Sequence, residues 1–280
     1  MWRLSIILSP RHILLRSGER TRIWDSGGNG ETVTLLHGLA NSLEIWERVQ
    51  PLLADRFRVI AFDWPGFGEA SRPDAAYDGS FFADSLATLL DMLDIESTHL
   101  IGYSMGASAI LHFSERSMAR IDRAVLAAPG GFGRRVHPLM LLPALPMVGA
   151  YLGRPTPYNN RMTLRLAIHD PANLTPLLEA RTNRHAAIEG SECSFHRALV
   201  SGVGLLGARG VAHMKDLARA FARPALILWG EDDRVFPPRN AVRAAALLPA
   251  SQLTMIAQCG HYPQWEQPEV FAERVKAFLA

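Results

Sequence analysis

The segment Gly102-Tyr103-Ser104-Met105-Gly106 places a serine between two glycines at the point where an apolar run, Thr98 to Ile101, gives way to a helical pattern beginning at Met105. In a strand-turn-helix of this kind, side chains on either side of the serine would collide. The glycines let strand and helix close up and push a strained, exposed hydroxyl outward. A serine hydroxyl is a weak nucleophile at neutral pH, so nucleophilic chemistry at Ser104 needs a base and a group to orient that base. Both residue types follow downstream. Gly230-Glu231-Asp232-Asp233-Arg234-Val235-Phe236-Pro237 comes after the apolar run Ala225 to Trp229, and Gln258-Cys259-Gly260-His261 comes after Gln252 to Ile256. Each is expected in a loop at the carboxyl end of a strand, where open α/β sheets place their sites. On spacing alone either Asp232 or Asp233 can serve as the acid.

These residues must be positioned by a regular frame, and the remaining pattern supplies one. Short strands are expected at His12 to Arg16 and Thr21 to Asp25. Apolar runs follow at Thr32 to Leu36, Phe57 to Phe62, Thr98 to Ile101, Ile121 to Ala128, Pro224 to Trp229 and Gln252 to Ile256. Between them, helical spacing is found over Leu43 to Ala54, Phe81 to Leu93, Met105 to Arg116, Arg239 to Leu248 and Pro268 to Leu279. Near-continuous apolar strands alternating with amphipathic helices predict a mostly parallel sheet covered on both faces. From about Gly130 to Val211 the alternation stops. Prolines and helix-like pieces take over, which predicts a helical cap at residues 131–215 inserted into one domain whose core is residues 1–130 and 216–280.

Composition excludes several classes. The 280 residues are 48% hydrophobic and 20% charged, with 29 Lys+Arg against 27 Asp+Glu for a net charge of +2, ordinary values for a globular protein. Scattered charge of both signs gives no field for nucleic acid. Two distant cysteines, Cys193 and Cys259, fit neither a disulfide framework nor paired metal ligands, and the ten histidines include no H-x-x-x-H pair, so no metal or cofactor is expected. The apolar run Leu4 to Leu8 is too short for a secretory core, and no stretch approaches a membrane span. A cytoplasmic location is expected. No G-x-G-x-x-G or P-loop follows a strand. Oligomeric state is unreadable.

With the elbow, the acid loop and the histidine in the order Ser, Asp, His, the chain resembles the α/β-hydrolase superfamily over nearly its whole length. The resemblance implies the α/β-hydrolase fold and selects Asp233, three residues after Gly230 and four before Pro237, as the partner of His261 and Ser104. It implies an oxyanion hole made by the backbone N–H groups of Leu39 and Met105. His37-Gly38 looks like the family's H-G pair, with His37 shaping the loop, and Asp63-Trp64-Pro65-Gly66-Phe67-Gly68 looks like its D-x-x-G-x-G turn, with the Trp64 ring expected at the mouth. Tyr103 and Tyr262, beside the nucleophile and the base, are expected to touch a small-molecule substrate.

Two segments, Ala128 to Gly133 and Cys259 to Glu266, look like those of the meta-cleavage-product hydrolases, which cut carbon–carbon bonds in vinylogous diketo acids. In that subfamily a lid arginine binds the substrate carboxylate, and Leu177-Leu178-Glu179-Ala180-Arg181 resembles that segment, nominating Arg181. The charge distribution agrees with an anionic ligand: residues 131–215 carry a local net charge of +6. The chain departs from the subfamily at His37 to Ser42, which is not the H-G-G-G-P-G type, and at Tyr103, where asparagine is usual. The expected activity is therefore carboxylic ester hydrolysis through an acyl-enzyme, with carbon–carbon hydrolysis as the alternative and a triad-retaining small-molecule receptor as the alternative of another class.

Overall fold

The computed structural model describes residues 9–280 except position 146; the expectation for the apolar run Leu4 to Leu8 lies outside the described residues. The strands are β1 (Arg11–Leu14), β2 (Arg20–Asp25), β3 (Thr32–Leu36), β4 (Arg58–Phe62), β5 (Thr98–Tyr103), β6 (Ile121–Ala127), the short hairpin β7 (Val203–Gly204) and β8 (Gly207–Ala208), then β9 (Ala225–Gly230) and β10 (Ser251–Ile256). The helices are α1 (Gln50–Leu53), α2 (Gly79–Met92), α3 (Met105–Ser117), α4 (Gly149–Leu152), α5 (Pro157–Ala167), α6 (Pro176–Ala186), α7 (Ser191–Gly202), α8 (Val211–Ala220), α9 (Arg239–Ala245), α10 (Pro263–Glu266) and α11 (Pro268–Leu279). Eight strands form one sheet in the order β1-β2-β4-β3-β5-β6-β9-β10, antiparallel at β1, β2 and β4 and parallel from there on. This is the mostly parallel sheet that the alternation predicts, in the α/β-hydrolase fold that the resemblance implies.

Two apolar layers cover the sheet. Leu36, Leu100, Leu126 and Ile227 face α2, α3 and α8, while Val33, Leu35, Ile101 and Leu228 face α11 and the Leu43–Trp46 turn. The alternation of inward residues along each central strand follows from the strand's period of two, and burial on both sides explains why these strands read as unbroken apolar runs. The helix expected over Leu43 to Ala54 is instead a 3₁₀ turn (Leu43–Trp46) followed by the single turn α1. Pro51 is the cause: without an N–H it fits only a first turn, so the chain must restart there. Between β6 and β9 lie α4 to α8 and the β7–β8 hairpin, a pairing too short to leave a strand pattern in the sequence. Among the described residues no helix is long and apolar enough to cross a membrane.

Candidate active site

Ser104 sits directly after β5 with φ 51° and ψ −114°, a conformation side chains avoid, and its N–H is held by the Ala127 carbonyl at 2.8 Å. The two glycines of the elbow are required by packing. A Cβ on Gly106 would lie 2.2 Å from the Leu36 carbonyl oxygen, and one on Gly102 would lie 2.5 Å from the Ala107 nitrogen.

His261 Nε2 lies 3.0 Å from Ser104 Oγ, and His261 Nδ1 lies 2.7 Å from Asp233 Oδ2. The other carboxylate oxygen of Asp233 accepts the N–H groups of Val235 (2.8 Å) and Phe236 (2.9 Å), which fixes its direction. Asp232 points elsewhere, its Oδ2 3.3 Å from His169 Nδ1. Of the two adjacent acids, the structure thus brings Asp233 to His261. The histidine loop is clamped by a residue that sequence reasoning passed over. Glu266 accepts the N–H groups of Gly260 (3.0 Å), Tyr262 (3.3 Å) and His169 (2.7 Å), while the His261 N–H donates to the Ala167 carbonyl at 2.6 Å.

The Leu39 loop is shaped by His37. Its Nδ1 donates to the Gly38 carbonyl at 2.8 Å and its Nε2 accepts the Trp64 backbone N–H at 3.0 Å, so the ring is neutral; burial pushes its pKa down to about 4. Because the peptide is planar and trans, pulling the Gly38 carbonyl toward His37 turns the Leu39 N–H the opposite way. Leu39 and Met105 both line the cavity above Ser104, and among the described hydrogen bonds neither backbone N–H has a protein acceptor. Gly38 allows the approach: a Cβ there would lie 3.2 Å from that of Ser104.

Below this loop is a buried ion group. Arg22 binds Asp63 (2.7 Å), Glu44 (2.9 Å) and Glu69 (3.1 Å), and Asp63 also accepts the N–H groups of Leu43 and Glu69 at 2.8 Å each. Burial favours the neutral form of Glu44, but Arg22 together with a Ser42 hydrogen bond outweighs it and holds the Glu44 carboxyl down at about 2. Burial raises Asp63. Glu44, Glu69 and His185 lie near enough to one another to suggest a cation site. Arg22 and Arg184 already occupy those carboxylates.

Ser104 opens into a cavity of about 400 Å³ whose walls are largely apolar, with Leu139, Leu142, Phe195, Leu199, Met214 and Phe236 among them. Tyr103 and Tyr262 line it beside the triad, their rings 5.1 Å apart, and Asn41 donates to the Tyr262 hydroxyl at 3.3 Å. Burial pushes both phenols up, so both stay neutral. Two expected contacts are corrected. Trp64 is fully buried, its indole N–H tied to the His37 carbonyl at 3.0 Å and its ring packed on Phe62 and Phe82, and it does not line the cavity. Arg181 also stays outside the cavity, because its guanidinium is captured by Glu47 at 2.5 Å. Sequence reasoning missed His112, Ser108 and Asn41 on the lining. The face Met105, Ser108, Ala109, His112 of α3, with the last three lying three, four and seven residues after Met105, is the signal that would have found the first two.

The description "Alpha/beta hydrolase family" matches residues 35–274. The chain belongs to the alpha/beta hydrolase family. It is 31% identical to the 2-hydroxy-6-oxononadienedioate/2-hydroxy-6-oxononatrienedioate hydrolase 2 of Pseudomonas putida, over 97% of this chain and 96% of that one. The hydrolase of the same description from Cupriavidus pinatubonensis is 27% identical, over 97% and 95%. Among solved structures, a meta-cleavage product hydrolase of Pseudomonas fluorescens superimposes with a TM-score of 0.80 at 26% identity, covering 96% of this chain and 97% of that one. This member of the family is accordingly a hydrolase that acts on a small molecule.

Proposed function

We propose that this hydrolase cleaves a carbon–carbon bond next to a ketone in a 2-hydroxy-6-oxo-dienoate, with Ser104 as nucleophile, His261 as base and then acid, and Asp233 orienting His261. The observation that carries the reading is the full-length likeness, at 31% identity, to a hydrolase described by that substrate class, joined to a hydrogen-bonded Ser104-His261-Asp233 line opening on an apolar cavity. His261 takes the Ser104 proton as Oγ adds to the ketone carbon. The oxyanion is met by the N–H groups of Leu39 and Met105. The carbon–carbon bond then breaks, and its electron pair leaves on a carbon conjugated through the 2-oxo, 3,4-ene system of the keto tautomer. That carbon takes the proton from His261, leaving an acyl group on Ser104. Water, deprotonated by His261, releases the acid and restores the hydroxyl.

A second reading, carboxylic ester hydrolysis, uses the same steps with an alkoxide as leaving group. It is favoured by the position of Arg181, which is held by Glu47 away from the substrate. The test is turnover of 2-hydroxy-6-oxohepta-2,4-dienoate and of a chain-length series of p-nitrophenyl esters by the purified protein and by Ser104→Ala. Serine-dependent loss of the dienoate chromophore, at a kcat/KM above that for every ester, supports carbon–carbon cleavage. Serine-dependent ester turnover with an untouched dienoate replaces it with the esterase reading. No turnover of either, with ligand-induced thermal stabilisation, replaces both with a receptor.

A further inference from the structure

With Arg181 engaged by Glu47, an acidic substrate needs another partner, and the cavity offers few. Of its lining residues only Arg209, His112, His213 and the triad's own His261 can carry positive charge, and Asp78 is the one acid. His112, on α3, and His213, on α8, face each other with ring centroids 5.4 Å apart. Neither ring makes a hydrogen bond to protein among the described residues, so their N–H groups are available to a ligand. The His112 ring lies against Gly79, where a Cβ would come within 2.3 Å of it, so its place depends on a glycine at the start of α2. Asp78 does not cancel the pair outright: it caps α2, accepting the Phe81 N–H at 3.0 Å.

We propose that His112 and His213, with Arg209 at the rim, form the subsite that binds the substrate's carboxylate. The inference rests on the keto-acid reading above and names the residues that recognise the acid. The dimensions fit. From Ser104 to His112 the α3 floor runs eight residues, about 12 Å. A chain from C6 to the C1 carboxylate advances roughly 6 Å over five bonds, and contacts of about 3 Å at each end, Ser104 Oγ to the ketone and an imidazole N–H to the carboxylate, make up the rest. The reacting ketone at Ser104 and the carboxylate at the histidine pair are therefore filled by one dienoate. Burial and His213 lower the His112 pKa, while Glu115 and Asp78 oppose them. The lowered pKa favours the neutral His112 ring, which presents one N–H, and Arg209 supplies the formal charge.

The probe is 6-oxoheptanoate, a saturated keto acid with the same spacing and no cleavable conjugated bond, titrated calorimetrically into the Ser104→Ala protein beside its uncharged methyl ester. The expected result is that His112→Gln/His213→Gln weakens 6-oxoheptanoate by on the order of tenfold or more, leaves the methyl ester within about threefold, and that Arg181→Met changes neither by more than about twofold. Near-UV circular dichroism and melting verify the fold of the double variant, and His213→Gln alone, at an exposed position, provides a variant with little risk to folding and is expected to show part of the loss. Equal binding of the acid by the double variant and its parent overturns the subsite, as does loss of binding in Arg181→Met or no binding of 6-oxoheptanoate at 10 mM. Because the titration requires no bond cleavage, it decides the subsite even where the wild-type protein leaves the dienoate intact.

Discussion

Replacing Ser104 by glycine should yield a protein that is inactive yet more stable than Ser104→Ala. Both variants lose the hydroxyl and its 3.0 Å contact with His261, so they differ only in the Cβ. At φ 51°, ψ −114° a residue with a Cβ carries strain of about 1–3 kcal/mol, which glycine escapes. Against this, glycine frees the unfolded chain by roughly 0.5–1 kcal/mol. The difference is about 1 kcal/mol in favour of glycine, or about 2 °C in Tm for a chain of this size. Urea denaturation of the two variants, with m-values compared to establish equal unfolding, measures it. A glycine variant equal to or less stable than the alanine variant would refute the idea that backbone strain is stored at the nucleophile.

Further outcomes follow from the same contacts. Asp233→Asn should retain the fold but lower kcat by about 10³–10⁴, because an amide in place of the carboxylate favours the wrong His261 tautomer; a loss below tenfold would remove Asp233 from the triad. Arg22→Met should destabilise the protein by about 3–5 kcal/mol, as it leaves Asp63 and Glu44 buried without their cation, and this is read from the urea midpoint. His37, with its folded pKa lowered to about 4, binds fewer protons folded than unfolded. Its contribution is therefore present above about pH 6.5 and lost as pH falls toward 4, about 2 kcal/mol between pH 7 and 4.5. Asp63, raised by burial, works in the opposite direction, so the His37 share is isolated by comparing the wild type with His37→Asn, whose stability should fall less across that interval.

How much of the molecule was legible in the sequence differs by type of residue. The strands β3 and β5 and the elbow at Ser104 could be read because their requirements are local: runs rich in apolar and β-branched residues that are buried on both faces, and glycine where Leu36 and Ala107 leave no room for a Cβ. The mostly parallel sheet, covered on both faces, followed from alternation, whereas its strand order is fixed by long-range pairing such as that of β3 between β4 and β5. Long side chains were not legible. Arg181 lies on α6 between Leu178, which is buried, and Thr182, which lines the cavity, so helical phase alone allows its guanidinium either destination. Glu47, far away in sequence, decides. Trp64 was misplaced for a similar reason: its partner is the His37 carbonyl, and nothing near position 64 encodes that bond. His112 was passed over because its phase relative to Met105 means little until a cavity lies over that face of α3.

The floor of the cavity and Met105, next to Ser104, belong to one helix, α3. A substitution that shifts α3 to lengthen the cavity would also move Met105 and the elbow, where Gly106 leaves no room for even a Cβ beside the Leu36 carbonyl. Changes of substrate length are therefore barred from the floor and from α5, whose Ala167 carbonyl holds the His261 N–H, and are left to the part of the roof where α6 and α7 contribute Thr182 and Leu199. The fold separates what must stay fixed for bond breaking from what can diversify, so new specificities can arise in the roof while the reacting groups remain in place.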